Sequence, residues 1–199
     1  RNLELTETIR RGDIHGSLLS ILDQSITPMG HRLIRQWVSK PLLNLEQIQQ
    51  RQKVVDYFFN NSMLRIGFRS LLQHLGDLER LSNRVISGNA LPRDLVALRG
   101  IIHKLPEIRN ILPADEPALS NSLQHFHLCP EALELLEKAI DDDPPATLQN
   151  TGIIRAGYSE ELDNVIEMSR HAREWISNLE SVERERTGIR TLKVGFNKV

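Results

Sequence analysis

Cysteine is almost missing from these 199 residues: Cys129 stands alone, which excludes an intramolecular disulfide and fits a reducing compartment, so the expected location is the cytoplasm. No run of about 20 apolar residues exists, which removes a membrane-spanning helix and a membrane partner. The opening Arg-Asn-Leu-Glu-Leu has neither the n-region nor the h-region of a secretory signal. Excess positive charge is also lacking. The 25 Lys and Arg against 26 Asp and Glu leave a formal charge of −1, without the basic footprint of an autonomous nucleic-acid binder, so any DNA contact must be local. No GxxxxGK[ST] stretch and no Gly-rich strand-to-helix turn offers a nucleotide a seat, so this segment is expected to carry no ATPase, catalytic or cofactor site. Repeats and low-complexity tracts are absent. Starting on Arg1 and stopping on Val199 inside a strand-like stretch, both ends read as cuts in a longer polypeptide.

What is present is helix punctuation. Thr27-Pro28 pairs a capping hydroxyl with a proline that needs no donor in the first turn, and predicts a helix to about Val38. It stacks Met29, Leu33 and Trp37, with Ile34 and Val38 beside them, and Lys40-Pro41 ends it. Asn44 with Gln47 resembles a capping box for a helix whose inward positions would be Leu45, Ile48, Val55 and Phe58. Periodicity predicts further helices at 63–75, with the stripe Leu64, Phe68, Leu71 and Leu75, at 78–86, and at 92–104, with Leu95, Leu98 and Ile102. Short segments follow near 117–125 and 130–140. The acidic run Asp141-Asp142-Asp143 sits badly against the negative end of a helix dipole and marks a solvated terminus before Pro144-Pro145.

Residues 153–157 are β-compatible. Ser159 then caps a long helix with Glu160 and Glu161 in its first turn, running to Thr187, with Gly188 placed to take a left-handed conformation. Leu162, Val165, Ala172, Ile176 and Leu179 share one stripe, interrupted by Ser169 and with Glu183 next in line. Such a helix reaches about 40 Å, a length that transmits position better than it builds a pocket. From Thr191 to Val199, Leu192, Val194 and Phe196 alternate with polar residues and Gly195 as in a strand. The expected fold is therefore all-α: a multi-helix core bundle at 1–145, a connecting turn and long lever helix at 146–190, and minor β segments near 153–157 and at 191–199.

Candidate chemistry is sparse. His125, His127 and Cys129 form an HxHxC run, and in an extended stretch alternate residues can point three soft ligands one way. A fourth ligand is not evident, and Phe126 and Leu128 favour an ordinary helix–helix connection, so no metal site is assigned. The other histidines lack HxxxH or HExxH spacing. Near the end, Arg184, Arg186, Arg190, Lys193 and Lys198 outweigh Glu183 and Glu185. Dipole compensation explains Arg184 and Arg186, and leaves Lys193 and Lys198 as candidates to lie near a DNA backbone.

Several stretches together carry a resemblance. Gly-Asp-Leu-Glu-Arg-Leu at 76–81, Pro-Arg-Asp-Leu at 92–95, Gly-Tyr-Ser-Glu-Glu-Leu-Asp at 157–163, Glu-Arg-Glu-Arg-Thr-Gly at 183–188 and Leu-Lys-Val-Gly-Phe-Asn at 192–197 resemble the bacterial MutS family of DNA mismatch repair proteins. Arg-Asn-Leu-Glu-Leu at 1–5, Gly-Ser-Leu-Leu-Ser-Ile-Leu-Asp at 16–23 and Thr-Pro-Met-Gly-His-Arg-Leu at 27–33 support it, in the family's order. His31, where the family often has a small residue, and Asn150-Thr151-Gly152 depart from the pattern. The resemblance implies the core and lever segment, ending as the clamp domain begins: a structural and allosteric connector between the DNA clamp and an ATPase domain. It implies a homodimeric parent that binds double-stranded DNA and mismatch repair partner proteins, with ATP and Mg bound outside residues 1–199. It also implies that helices returning after the clamp complete the core, so that this segment alone leaves an apolar face uncovered. The alternatives are a stand-alone α-helical interaction scaffold and a paralogue acting in recombination.

Overall fold

The computed structural model describes residues 3–9 and 12–193, and divides the chain into two compact units, residues 1–153 and 154–199. Among the described residues there are nine helices and no strand. None is long and apolar enough to cross a membrane.

The first unit holds α1 (Leu18–Leu22), α2 (Pro28–Ser39), α3 (Leu45–Asn60), α4 (Ser62–Gln73), α5 (Leu78–Ile86), α6 (Pro92–Ile111), α7 (Ser120–Gln124) and α8 (Pro130–Ala139). Their starts follow from local chemistry. The Thr27 hydroxyl accepts from the Gly30 N–H at 3.1 Å, Asn44 from Gln47 at 3.0 Å, and Asp77 from Arg80 at 3.1 Å. Sequence reasoning passed over α1. Its signal is Ser17, buried before Leu18-Leu19, which accepts from the Ser20 N–H and donates to the Ile14 carbonyl.

α6 is the spine of this unit, packed by α4, α5 and α8. Ile101 and Ile108 join Leu75 in one buried cluster, completed by Met29, Phe68, Leu71, Leu72, Leu78, Leu81 and Phe126. Gly76 permits the close approach there, since a Cβ would lie 2.9 Å from Ile101 Cδ1. The expected end of this helix at 104 is corrected. It runs on to Ile111 through Pro106, although the ring removes the hydrogen bond to the Ile102 carbonyl. Leu105 and Ile108, buried on either side of the proline, supply the packing that outweighs that loss.

The inward face of α3 matches expectation at Phe58 and the half-buried Ile48, and differs at Leu45 and Val55. Val54, Tyr57 and Phe58 pack on the buried Leu112, Leu119 and Leu123, while Leu45 and Val55 are exposed. Packing against Phe68, whose ring stacks on the expected Phe58 with centroids 5.6 Å apart, adds Val54 and Tyr57 to the inward face in place of Leu45 and Val55. Val55 and Phe59 instead line an open groove of about 670 Å³ with Ile34, Trp37, Leu42 and Ile48. The Arg51 guanidinium lies 3.7 Å from the Trp37 ring centroid.

Two arginines tie distant elements together. Arg32 on α2 reaches both Asp77 carboxylate oxygens, at 2.9 and 2.7 Å, and Glu79 at 2.6 Å. This fork holds the Asp77 carboxyl below the usual carboxylate range. Arg99 donates to the Ile140 carbonyl at 3.0 Å and to Asp142 at 2.7 Å, so the acidic run after α8 is compensated by a nearly buried cation from α6. The expected β segment at 153–157 does not form a strand. Within the first unit it amounts to one backbone bond, from the Asp141 N–H to the Ile153 carbonyl.

Candidate functional site

In the second unit, α9 (Glu160–Thr187) is 28 residues long, about 42 Å. Every device at its start is local. The Ser159 hydroxyl accepts from the Leu162 N–H, Asp163 reaches back to the Gly157 N–H at 2.8 Å, and Glu160, Glu161 and Asp163 sit where the helix dipole favours negative charge. At the far end Arg184 and Arg186 occupy the last turn, and Gly188 takes φ 70° while its N–H bonds the Arg184 carbonyl. A side chain at that φ would strain the turn, which is why glycine follows the threonine.

The surface of α9 is laced with short-range pairs. His171 lies between Glu167 and Glu174, at 3.6 and 3.8 Å, and Arg186 pairs with Glu183 at 2.8 Å. No residue of α9 is buried. Of the stripe read from the sequence, Leu162, Ile176 and Leu179 are half-buried, as is Glu183 next in line, while Val165 and Ala172 are exposed. Sharing Val165, Ala172 and Leu179 with that stripe is a second line, to which Met168, Trp175 and Val182, not named from the sequence, belong: these six recur at three-four spacing. Trp175 is 65% exposed and Met168 64%. The signal was available, since this spacing fits a helical seam as well as the first did.

The DNA-proximal candidates separate. Lys193 is exposed, just past the turn at 190–191; residues 191–193 of the expected terminal strand form no strand, and Lys198 with the rest of 194–199 lies outside the described residues. Arg184 and Arg186 are engaged with Glu180 and Glu183 on the helix itself.

The HxHxC run is not an extended ribbon. His125 closes α7 with its Nδ1 2.8 Å from the Asn121 carbonyl oxygen, and Cys129 is left-handed, φ 51°, immediately before Pro130. Alternate side chains therefore do not share one direction. Among the described residues no group of three or more His, Cys, Asp or Glu is placed to hold a metal ion.

The geometry is that of a capped rod without a fully buried residue, with an apolar seam and a tight turn at its end, and comparison with known proteins gives it a context. Residues 1–192 match the family described as MutS domain III. The chain is 42% identical over its whole length to the DNA mismatch repair protein MutS of Oceanobacillus iheyensis, and 45% identical to that of Acetivibrio thermocellus. It is 39% identical to that of Staphylococcus haemolyticus. It spans only 22–23% of the length of these relatives. With the family matched from the first residue to the last turn of the described chain, this protein belongs to the MutS family as its domain III.

Proposed function

We propose that this chain is a structural and allosteric connector in a DNA mismatch recognition and repair ATPase, in which α9 passes movement between a helical body and the segment after residue 190. On this reading residues 1–145 are the core, 146–190 the connecting turn and lever, and 191–199 the start of a DNA clamp. The observation that carries it is the contrast inside α9. Both ends are capped by its own sequence while none of its residues is fully buried, so its two ends are defined without a core around it. The exposed Val55, Phe59, Met63 and Ile66 of the first unit, and the Val165 to Val182 seam of the second, suit a segment that is completed by other parts of a longer polypeptide.

The relatives' printed name supports a role in DNA mismatch repair, and the rest of the proposal extends the family resemblance. The parent binds double-stranded DNA as a homodimer in the cytoplasm and works with mismatch repair partner proteins, with Lys193 and Lys198 lying near the DNA backbone. ATP and Mg belong elsewhere in that parent. The residues here do not fit them, with no phosphate-binding loop in the sequence and no carboxylate cluster placed for a metal among the described residues. Reversing the charge of Lys193 should weaken DNA binding equally for matched and mismatched duplexes and reduce the salt slope by about 1. An unchanged slope removes Lys193 from the interface.

The lever itself is tested by inserting Gly-Gly after Ser169 in the full-length protein. Two glycines weaken the helix by about 2 kcal/mol relative to alanines, and any two-residue insertion turns the register by about 200°. ATP-triggered ring movement should be lost with basal ATPase kept. An Ala-Ala insertion separates stiffness from register. Coupling that survives both insertions excludes the rod.

A further inference from the structure

A rod is useful only if its end is fixed to what it moves, and α9 ends in the most pliable residue available. Gly188 at φ 70° breaks the helix, and the chain turns again at 190–191. With only the Gly188 N–H on the Arg184 carbonyl, rotation of α9 would dissipate in that turn.

Arg184 does more than satisfy the helix dipole. Its Nε donates to the Leu192 carbonyl at 2.7 Å, across eight residues of sequence, and a terminal nitrogen of the same guanidinium pairs with Glu180 one turn back on the rod. The planar fork thus spans the turn, with one nitrogen on the helix and another on the backbone after it. Smaller bonds set the loop's shape beneath it. Thr187 Oγ1 donates to the Glu183 carbonyl at 2.6 Å and accepts from the Ile189 N–H, and the Leu192 N–H bonds the Ile189 carbonyl at 3.2 Å. Lysine is no substitute, because an ammonium is a point donor that can keep the Glu180 pair or the Leu192 contact but lacks the rigid geometry to hold both.

We infer that Arg184 is the positioning residue that locks the exit segment to the rod, so that when α9 turns, residues 189–193 turn with it. This rests on the lever reading and names the contact through which the lever acts. Arg184 is distinguished from Arg186, which is paired on the helix surface with Glu183.

The test uses the full-length protein with accessible thiols removed, Cys129→Ser included, and spin labels at Ser177 on the rod and Arg190 in the exit segment. The parent should give one narrow distance. Arg184→Gln and Arg184→Lys should both lose the narrow peak, while helix content and thermal midpoint stay at the parent's values for Arg184→Lys, which keeps its charge beside Glu180. Arg186→Lys should leave the distance unchanged. A narrow peak retained in Arg184→Lys overturns the inference, as does equal broadening in Arg186→Lys. If Arg184→Lys broadens the distance yet ATP-triggered ring movement is unaltered, the lock stands and the lever reading falls.

Discussion

α6 and α9 are the two longest helices of the chain, and they are helical for opposite reasons. α6 has 20 residues, five of them buried, and carries a proline in its interior. α9 has 28, none buried and none a proline. A helix interior that loses a hydrogen bond and accepts a proline ring costs about 3 kcal/mol, which only tertiary packing can offset. α6 has that packing on three sides. α9 relies instead on Ser159, Gly188, acidic residues at one end, arginines at the other, and pairs three or four residues apart, each worth a few tenths of a kcal/mol. Apolar content does not separate them. Trp175, Met168 and Val165 are as apolar as anything on α6, yet stand in solvent. The difference lies within each unit: other helices of the first unit close over α6, whereas α9 is the one described helix of its unit and has no buried residue.

The sharpest way to break this comparison is in the spine. Ile108, 3% exposed and part of the cluster with Leu75 and Ile101, should cost about 3 kcal/mol on Ile108→Ala, since the lost methylenes leave a cavity that Pro106 and the fixed α4 contacts cannot collapse. Denaturant titration reads the loss, and a cost below 1 kcal/mol would mean that α6 is not the spine. The next effect is smaller. Asp77→Ala removes the cap of α5 and the anchor of Arg32 together, about 1–2 kcal/mol, with the Arg32 share held low because that side chain is half exposed. Arg32 depresses the Asp77 carboxyl, so its contribution is complete above the unfolded value of about 3.9 and disappears as pH falls through the lower folded one. The stability gap between the parent and Asp77→Asn should therefore be constant at neutral pH and narrow below about pH 4.

The same division decides what was legible in the sequence. Features set within one turn were readable: Thr27-Pro28, Asn44 with Gln47, and both ends of α9 at Ser159 and Gly188 stand where expected. Features set by packing were not. The run of α6 past Pro106 and the inward place of Val54 and Tyr57 on α3 depend on partners far along the chain. Cys129 hid its left-handed backbone because nothing about a cysteine before proline announces a positive φ. At the candidate site, Arg184 was read as a cation compensating a dipole. Its bond to Leu192 needs the return of the chain through Gly188, a geometry that spacing alone does not supply.

The smallest effect tests the other half of the comparison. Trp175 would dominate any core, worth 3–5 kcal/mol on truncation, but at 65% exposure it has little to lose. In the 199-residue chain Trp175→Ala should change stability by less than about 0.5 kcal/mol, the range of ordinary surface substitutions. Hydrogen exchange along α9 should then be fast relative to α6 and unaltered by the change, because the helix is held by its caps and pairs and not by the ring. A cost approaching that of Ile108→Ala would show that α9 packs within this chain after all, and would end the distinction between a core helix and a rod. If the same substitution is silent here but costly in the full-length protein, the Val165 to Val182 seam is covered there, and the surface that holds α9 alone is the one that holds its partner.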